Sequence, residues 1–131
     1  DPKAWQEVID VNLTANWRLI RSIDPLLRQS TAGRAIFVSS GVARDVRAYW
    51  GAYAVSKAAL EMLVGIYAKE IQQSTVRANL VDPGRTRTRM RAAAYPGEDP
   101  NTLRTPEEIM EPFVRLARAD HTGNGDVVKA Y

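Results

Sequence analysis

The chain has 131 residues, 45% of them hydrophobic and 25% charged, a balance that suits one ordinary globular domain and excludes fibrous and disordered classes. It contains no cysteine, which excludes disulfide frameworks, thiolate zinc sites and cysteine nucleophiles and makes a reducing cytoplasm the expected compartment. The net charge of +3 is mild; no zinc-finger or helix-turn-helix pattern points to nucleic acid, no apolar run reaches membrane-span length, and the first residues lack a signal-peptide profile.

The first segment reads as a long amphipathic helix over 2–29. Asp1 suits the N-cap and Pro2 the first helical position, where a missing N–H costs nothing. Trp5, Ile9, Trp17, Ile20, Ile23 and Leu27 recur at helical spacing and form one apolar stripe. Asn12 lies on that stripe, and Pro25 is expected to kink the last turn or start a short separate one. Gly33 then breaks the pattern before the apolar run Ala35-Ile36-Phe37-Val38. Apolarity on both faces suits a parallel strand covered by helices on each side. The run ends in Ser39-Ser40-Gly41, and a polar stretch leads to a second helix over 50–73.

The next strand is expected over 76–81, stopped by Asp82-Pro83-Gly84. An arginine-rich stretch follows, with Arg85, Arg87, Arg89 and Arg91 alternating, and then the turn-forming Pro96-Gly97-Glu98-Asp99-Pro100. The arginines read as a solvated charged face or as a basic rim for an anionic substrate. Thr105-Pro106-Glu107-Glu108 opens a third helix, with Thr105 as N-cap and Glu108 closing a capping box, to about Ala119. Gly123 and Gly125 turn the chain into a last strand over 126–131. His121, the single histidine, reads as a loop residue, and Asp82 as a turn residue; no metal site is expected.

Strands alternating with helices at this spacing imply an α/β fold with about three parallel strands, right-handed crossovers and flanking helices. The first strand would leave a bare edge, which natural sheets seldom tolerate.

Ligands in such sheets sit beyond the carboxyl ends of the strands, here Ser39-Ser40-Gly41 and Asp82-Pro83-Gly84. Between them in sequence, Tyr53 and Lys57 stand one turn apart on one helix face. A free phenol titrates near ~10 and is a poor base at neutral pH. A fixed positive charge beside it favours the phenolate and brings it toward useful proton-transfer strength. Ser40 could donate to a carbonyl oxygen.

With Asp10-Val11-Asn12-Leu13, Ile36-Phe37-Val38-Ser39-Ser40, Tyr53-Ala54-Val55-Ser56-Lys57 and Val76-Arg77-Ala78-Asn79-Leu80-Val81-Asp82-Pro83-Gly84 in order, the chain resembles the short-chain dehydrogenase/reductase family over nearly its whole length. The thirteen-residue step from Ser40 to Tyr53 selects Ser40 over Ser39 as the family's serine. The resemblance implies the C-terminal half of a Rossmann-like doubly wound sheet and NAD(P)-dependent reduction of a carbonyl or oxidation of an alcohol. Tyr53 would be the general acid/base, Lys57 would tune it and hold the nicotinamide ribose, Ser40 would orient the carbonyl, and Asn12 would support a proton-relay water. Pro83, Gly84, Thr86 and Thr88 would contact the nicotinamide end of NAD or NADP, although Thr86 stands where the family usually has a β-branched aliphatic residue. Residues 84–91, with 97–100 and 105–107, look most like the bacterial YciK-type subgroup, near the oxoacyl-carrier-protein reductases.

The family's glycine-rich phosphate turn between a strand and a helix is absent from this sequence, where Gly33, Gly41 and Gly51 are too scattered. Residues 1–131 therefore read as a partial domain lacking the nucleotide-binding half, inactive alone. The rival reading is a catalytically silent α/β module that oligomerises through helices 2–29 and 50–73. Loop 41–49 and segment 85–104 would wall the pocket, with Tyr49, Trp50 and Met90 toward the substrate.

Overall fold

Three segments pair in parallel in the computed structural model, which describes residues 1–131. These are β1 (Arg34–Val38), β2 (Arg77–Asp82) and β3 (Val127–Lys129), in the order β1-β2-β3. The helices are α1 (Pro2–Ile9), α2 (Ala15–Gln29), α3 (Gly51–Glu70), α4 (Arg89–Ala94) and α5 (Glu111–Ala117). No helix is long and apolar enough to cross a membrane.

The expected helix over 2–29 forms, but not as one regular α-helix. Asp1 caps it, accepting from the Lys3 amide at 3.0 Å, and Pro2 takes the first turn. A π-helical segment, Asp10–Thr14, then separates α1 from α2 while the backbone stays right-handed throughout. α2 runs through Pro25 to Gln29 rather than stopping there. Pro25 and Arg21 are both exposed, so water can reach the carbonyl that the missing proline N–H leaves free.

α3 lays Leu60, Val64, Tyr67 and Ile71 on Val76, Ala78 and Leu80, and these seven side chains form the core. Ile20 and Leu27 of α2, and Ala35 and Phe37 of β1, pack against the same cluster. Each fully buried aliphatic side chain contributes roughly 1.5–3 kcal/mol, so this layer dominates stability. Alternation turns Arg34 and Ile36 to the opposite face, where α5 packs against β1 and β2. The Arg34 guanidinium fixes that side. Its Nε, Nη1 and Nη2 donate to the carbonyls of Gly33, Thr75, Arg118, Ala119 and His121 at 2.8–3.1 Å. With α3 on one face and α5 on the other, two successive steps across the sheet cannot share one hand. The uniform right-handedness expected from sequence therefore fails at the β2–α5–β3 step, where the long 83–126 excursion carries the chain across to the other face.

The expected third helix is also split. The Thr105 amide donates to the Glu108 carboxylate at 2.7 Å, half of the expected capping box, but only a 3-10 turn over Glu107–Ile109 follows. Pro112 lacks the N–H that a continuous helix would need, so the helix restarts at Glu111 with the proline in its first turn.

β1 is the bare edge anticipated from sequence. Val38 is 45% exposed, whereas every residue of β2 after Arg77 is buried. Because the strands are parallel, Ser39-Ser40-Gly41 and Asp82-Pro83-Gly84 emerge at the same end of the sheet.

Candidate active site

Tyr53 and Lys57 occupy the first two turns of α3, at the end of the sheet where β1 and β2 terminate. The Lys57 Nζ lies 5.8 Å from the centre of the Tyr53 ring and donates to the Val38 carbonyl at 2.9 Å. That bond ties the Tyr–Lys helix to the strand whose end carries Ser40. Lys57 is half-buried, and burial lowers its pKa below the ordinary lysine value. It forms no ion pair with a carboxylate. An ammonium has three donors, and one is spent on Val38, so two remain for a polyhydroxyl group. This donor set fits a nicotinamide ribose.

Ser40 is half-buried and starts the 3-10 turn Gly41–Ala43; its carbonyl accepts from the Ala43 amide at 3.0 Å. Ser39 is only 2% exposed and bonds the Glu61 carboxylate. Of the two serines, Ser40 is the one nearer solvent.

Asn12 lies in the π segment, where the extra residue widens the helix. Its side-chain amide donates to the Ser56 hydroxyl at 3.0 Å, and Ser56 donates to the Tyr53 carbonyl at 2.7 Å. The structure thus brings Asn12 onto the Tyr–Lys helix through a residue that the sequence reading did not single out. The Asn12 backbone carbonyl accepts from the Asn16 side-chain amide at 2.9 Å.

The residues expected at the nicotinamide continue from β2. Gly84 has φ of 68°, which favours glycine, and a Cβ there would lie 2.5 Å from the Tyr131 ring. The Gly84 amide donates to Asp82 at 3.1 Å. Thr86 pairs with Arg104 in an isolated parallel bridge, and its hydroxyl turns back to the Pro83 carbonyl at 3.3 Å. Thr88 caps α4, accepting from the Arg91 amide at 3.1 Å. Its hydroxyl hydrogen stays available to a ligand.

The start of α3 and the 85–104 segment meet beside Tyr53. Trp50 packs edge-on against the Tyr53 ring at 6.0 Å and stacks on Tyr95 at 6.1 Å. Arg91 covers Tyr95 at 3.7 Å and is held by Glu98 through two bonds of 2.7 and 2.8 Å. Arg87 is committed to the Pro100 carbonyl at 2.8 Å. Arg85 and Arg89 are exposed and enter no ion pair, so the alternating cluster divides into two structural and two free cations. Tyr49, with φ of 70°, and Met90 are both exposed. His121 lies at the opposite end of the strands, where its carbonyl accepts from Arg34.

A phenol beside an ammonium with spare donors, a solvent-side serine and a glycine turn thus gather at the carboxyl ends of the parallel strands, where ligands of open α/β sheets sit. The chain belongs to the short-chain dehydrogenase family: the family profile described as short chain dehydrogenase matches residues 1–99. It is 47% identical over 120 residues to the uncharacterized oxidoreductase YciK of Escherichia coli K12, covering 92% of this chain and 47% of that protein. The solved short-chain dehydrogenase of Shigella flexneri 2a complexed with NADP superposes with a TM-score of 0.94 at 43% identity, covering 99% of this chain and 54% of that one. A short-chain dehydrogenase of Escherichia coli CFT073 complexed with NADPH gives a TM-score of 0.94 at 44% identity, with coverages of 99% and 54%. The chain spans about half the length of the relatives it matches.

Proposed function

We propose that this sequence supplies the catalytic half of an NAD(P)-dependent oxidoreductase that reduces a small-molecule carbonyl or oxidises the corresponding alcohol. The observation that carries the reading is the junction of Tyr53, Lys57 and the β1 end, made through the Lys57–Val38 bond. The nicotinamide, when bound, supplies or accepts the hydride. Tyr53 gives a proton to the carbonyl oxygen in reduction and removes it in oxidation. Lys57 holds a positive charge beside the phenol ring and offers its spare donors to the ribose. Ser40 orients the carbonyl oxygen, and Asn12 supports the proton path by holding the tyrosine's helical turn through Ser56. Pro83, Gly84 and Thr86 form the backbone shelf for the carboxamide, and the Thr88 hydroxyl adds a donor.

Residues 1–131 hold no glycine-rich phosphate turn, so these residues alone are expected neither to bind the dinucleotide tightly nor to turn over. Trp17, Leu19, Ile23 and Leu26 of α2, with Met62 and Ile66 of α3, expose apolar side chains on the two helices expected to oligomerise. A homo-oligomer burying these faces, and a cytoplasmic location, belong to the same proposal.

The test is Tyr53→Phe in a full-length protein carrying this sequence, assayed for NADPH-dependent reduction across a ketone and aldehyde panel. Loss of roughly 10²–10⁴-fold in kcat with cofactor affinity retained is expected for a general acid/base. Unchanged turnover would leave Tyr53 as a packing residue. An unsubstituted protein inactive on the whole panel, yet oligomeric, would favour the silent module.

A further inference from the structure

Arg44 lies outside the catalytic set, yet its side chain joins the elements that carry Ser40, the Tyr53–Lys57 pair and Gly84. It follows Ser40 by one short turn, and the Arg44 amide closes that turn on the Gly41 carbonyl at 3.1 Å. Its Nη1 bonds Glu61 of α3 at 2.6 Å, and its Nη2 bonds Asp82 at the end of β2. Glu61 stands one helical turn beyond Lys57 and also accepts from the Ser39 hydroxyl. Asp82 accepts in addition from the Gly84 amide at 3.1 Å and from the Tyr131 hydroxyl at 3.2 Å. One guanidinium therefore links the serine-bearing strand end, the Tyr–Lys helix and the glycine shelf.

The chemistry of that link is specific to arginine. The Asp82 side chain is 1% exposed and that of Glu61 15%, so both carboxylates have little water to solvate them. A planar fork with fixed N–H directions can hold two carboxylates at a set separation, which the point charge of lysine cannot do. If the fork is lost, the 41–45 turn, the third turn of α3 and Asp82 lose their common anchor. Ser40 and the Gly84 shelf are then free to drift relative to Tyr53, and a displacement of about 1 Å at a reacting centre costs on the order of 10²-fold in rate.

We infer that Arg44 is a positioning residue, which sets Ser40 and the Pro83–Gly84 shelf against the Tyr53–Lys57 pair through its bonds to Glu61 and Asp82. This inference rests on the oxidoreductase reading above. In a full-length protein carrying this sequence, Arg44→Lys and the double variant Arg44→Met with Asp82→Asn are compared with the unsubstituted protein. The double variant neutralises Asp82, the more deeply buried of the two carboxylates that Arg44→Met alone would strand, so that it can fold. The expected result is melting close to that of the unsubstituted protein, KM for NADPH within about 3-fold, and kcat lower by about 30–100-fold in both. A double variant with kcat within 3-fold of the unsubstituted rate would overturn the inference, because Arg44 would then merely offset buried charge.

Hydrogen–deuterium exchange supplies a readout that needs no substrate. Faster exchange at the Arg44 and Gly84 amides in Arg44→Lys, with the α3 core still protected, is expected; unchanged exchange there overturns the positioning role. Absence of turnover in the unsubstituted protein, by contrast, counts against the oxidoreductase reading, and the exchange result still decides the role of Arg44.

Discussion

The side-chain amide of Asn12 reaches the Ser56 hydroxyl at 3.0 Å, and that hydroxyl is bonded in turn to the Tyr53 carbonyl at 2.7 Å. Two helices that are far apart in sequence are thereby joined at the turn that presents the Tyr53 phenol. Ser56 is fully buried, so neither bond has water as a ready substitute.

Ser56→Ala should therefore act at the site as well as on stability. It strands the Asn12 amide, at an expected cost of about 1–2 kcal/mol. Chemical denaturation should show that loss, and steady-state kinetics on a full-length protein should show kcat reduced more than KM for the cofactor. A variant with lowered stability but unchanged kcat would confine Ser56 to packing.

Lys57 makes a prediction about pH. Burial disfavours its charged form and puts its folded pKa below the ordinary 10.5. Between the lowered value and 10.5, the unfolded chain holds a proton that the folded chain has released. Stability attributable to this residue must rise with pH across that window and level off above it. Lys57→Met removes the titration, so its stability relative to the unsubstituted protein should fall as pH rises through the same window. Melting curves at a series of alkaline pH values check the sign; parallel profiles would contradict it.

Arg34 is expected to matter for folding and not for chemistry. Its donors satisfy five carbonyls at the end of the sheet remote from Tyr53. Arg34→Met should lower stability by about 2 kcal/mol or more, because several carbonyls lose a charged donor together. Turnover per folded molecule should not change.

The two free cations of the 85–91 stretch allow a test of the basic-rim reading. If Arg85 and Arg89 draw in an anionic substrate, their joint replacement by Gln should raise KM, and more so at low salt than at high salt. Arg87→Gln should instead loosen the 99–103 turn that it holds. A KM that is insensitive to salt in the Arg85/Arg89 variant would mark those residues as a solvated surface.

Much of this molecule is legible in its sequence because the relevant signals are local. The Ala35–Val38 run, the Val76–Val81 run and the tyrosine–lysine step each lie within one element, where periodicity and turn residues act directly. What escaped sequence reading depends on partners far along the chain. Arg44 meets Glu61 and Asp82, 17 and 38 positions away, and Ser56 meets Asn12 across 44. Nothing in the immediate neighbourhood of either residue signals those contacts. The break before α5 is different: Pro112 was visible, and the capping signal at Thr105 outweighed it. Alternation and loop length do not encode which face α5 takes, so the hand of the last crossover was read from a general preference that this step does not follow.

The π segment at Asp10–Thr14 amounts to one residue inserted into a helix that would otherwise be regular. A single-codon deletion there would be a rotation more than a shortening: Pro2–Ile9 would swing by about 100° about the axis of α2. Trp5, now 4.0 Å from where a Cβ on Gly51 would stand, would leave the start of α3. Asn12 would lose its line to Ser56 in the same movement. Helical register and the placing of Asn12 are thus coupled at this point, and tolerance of length variation should be lower here than anywhere else along the two leading helices.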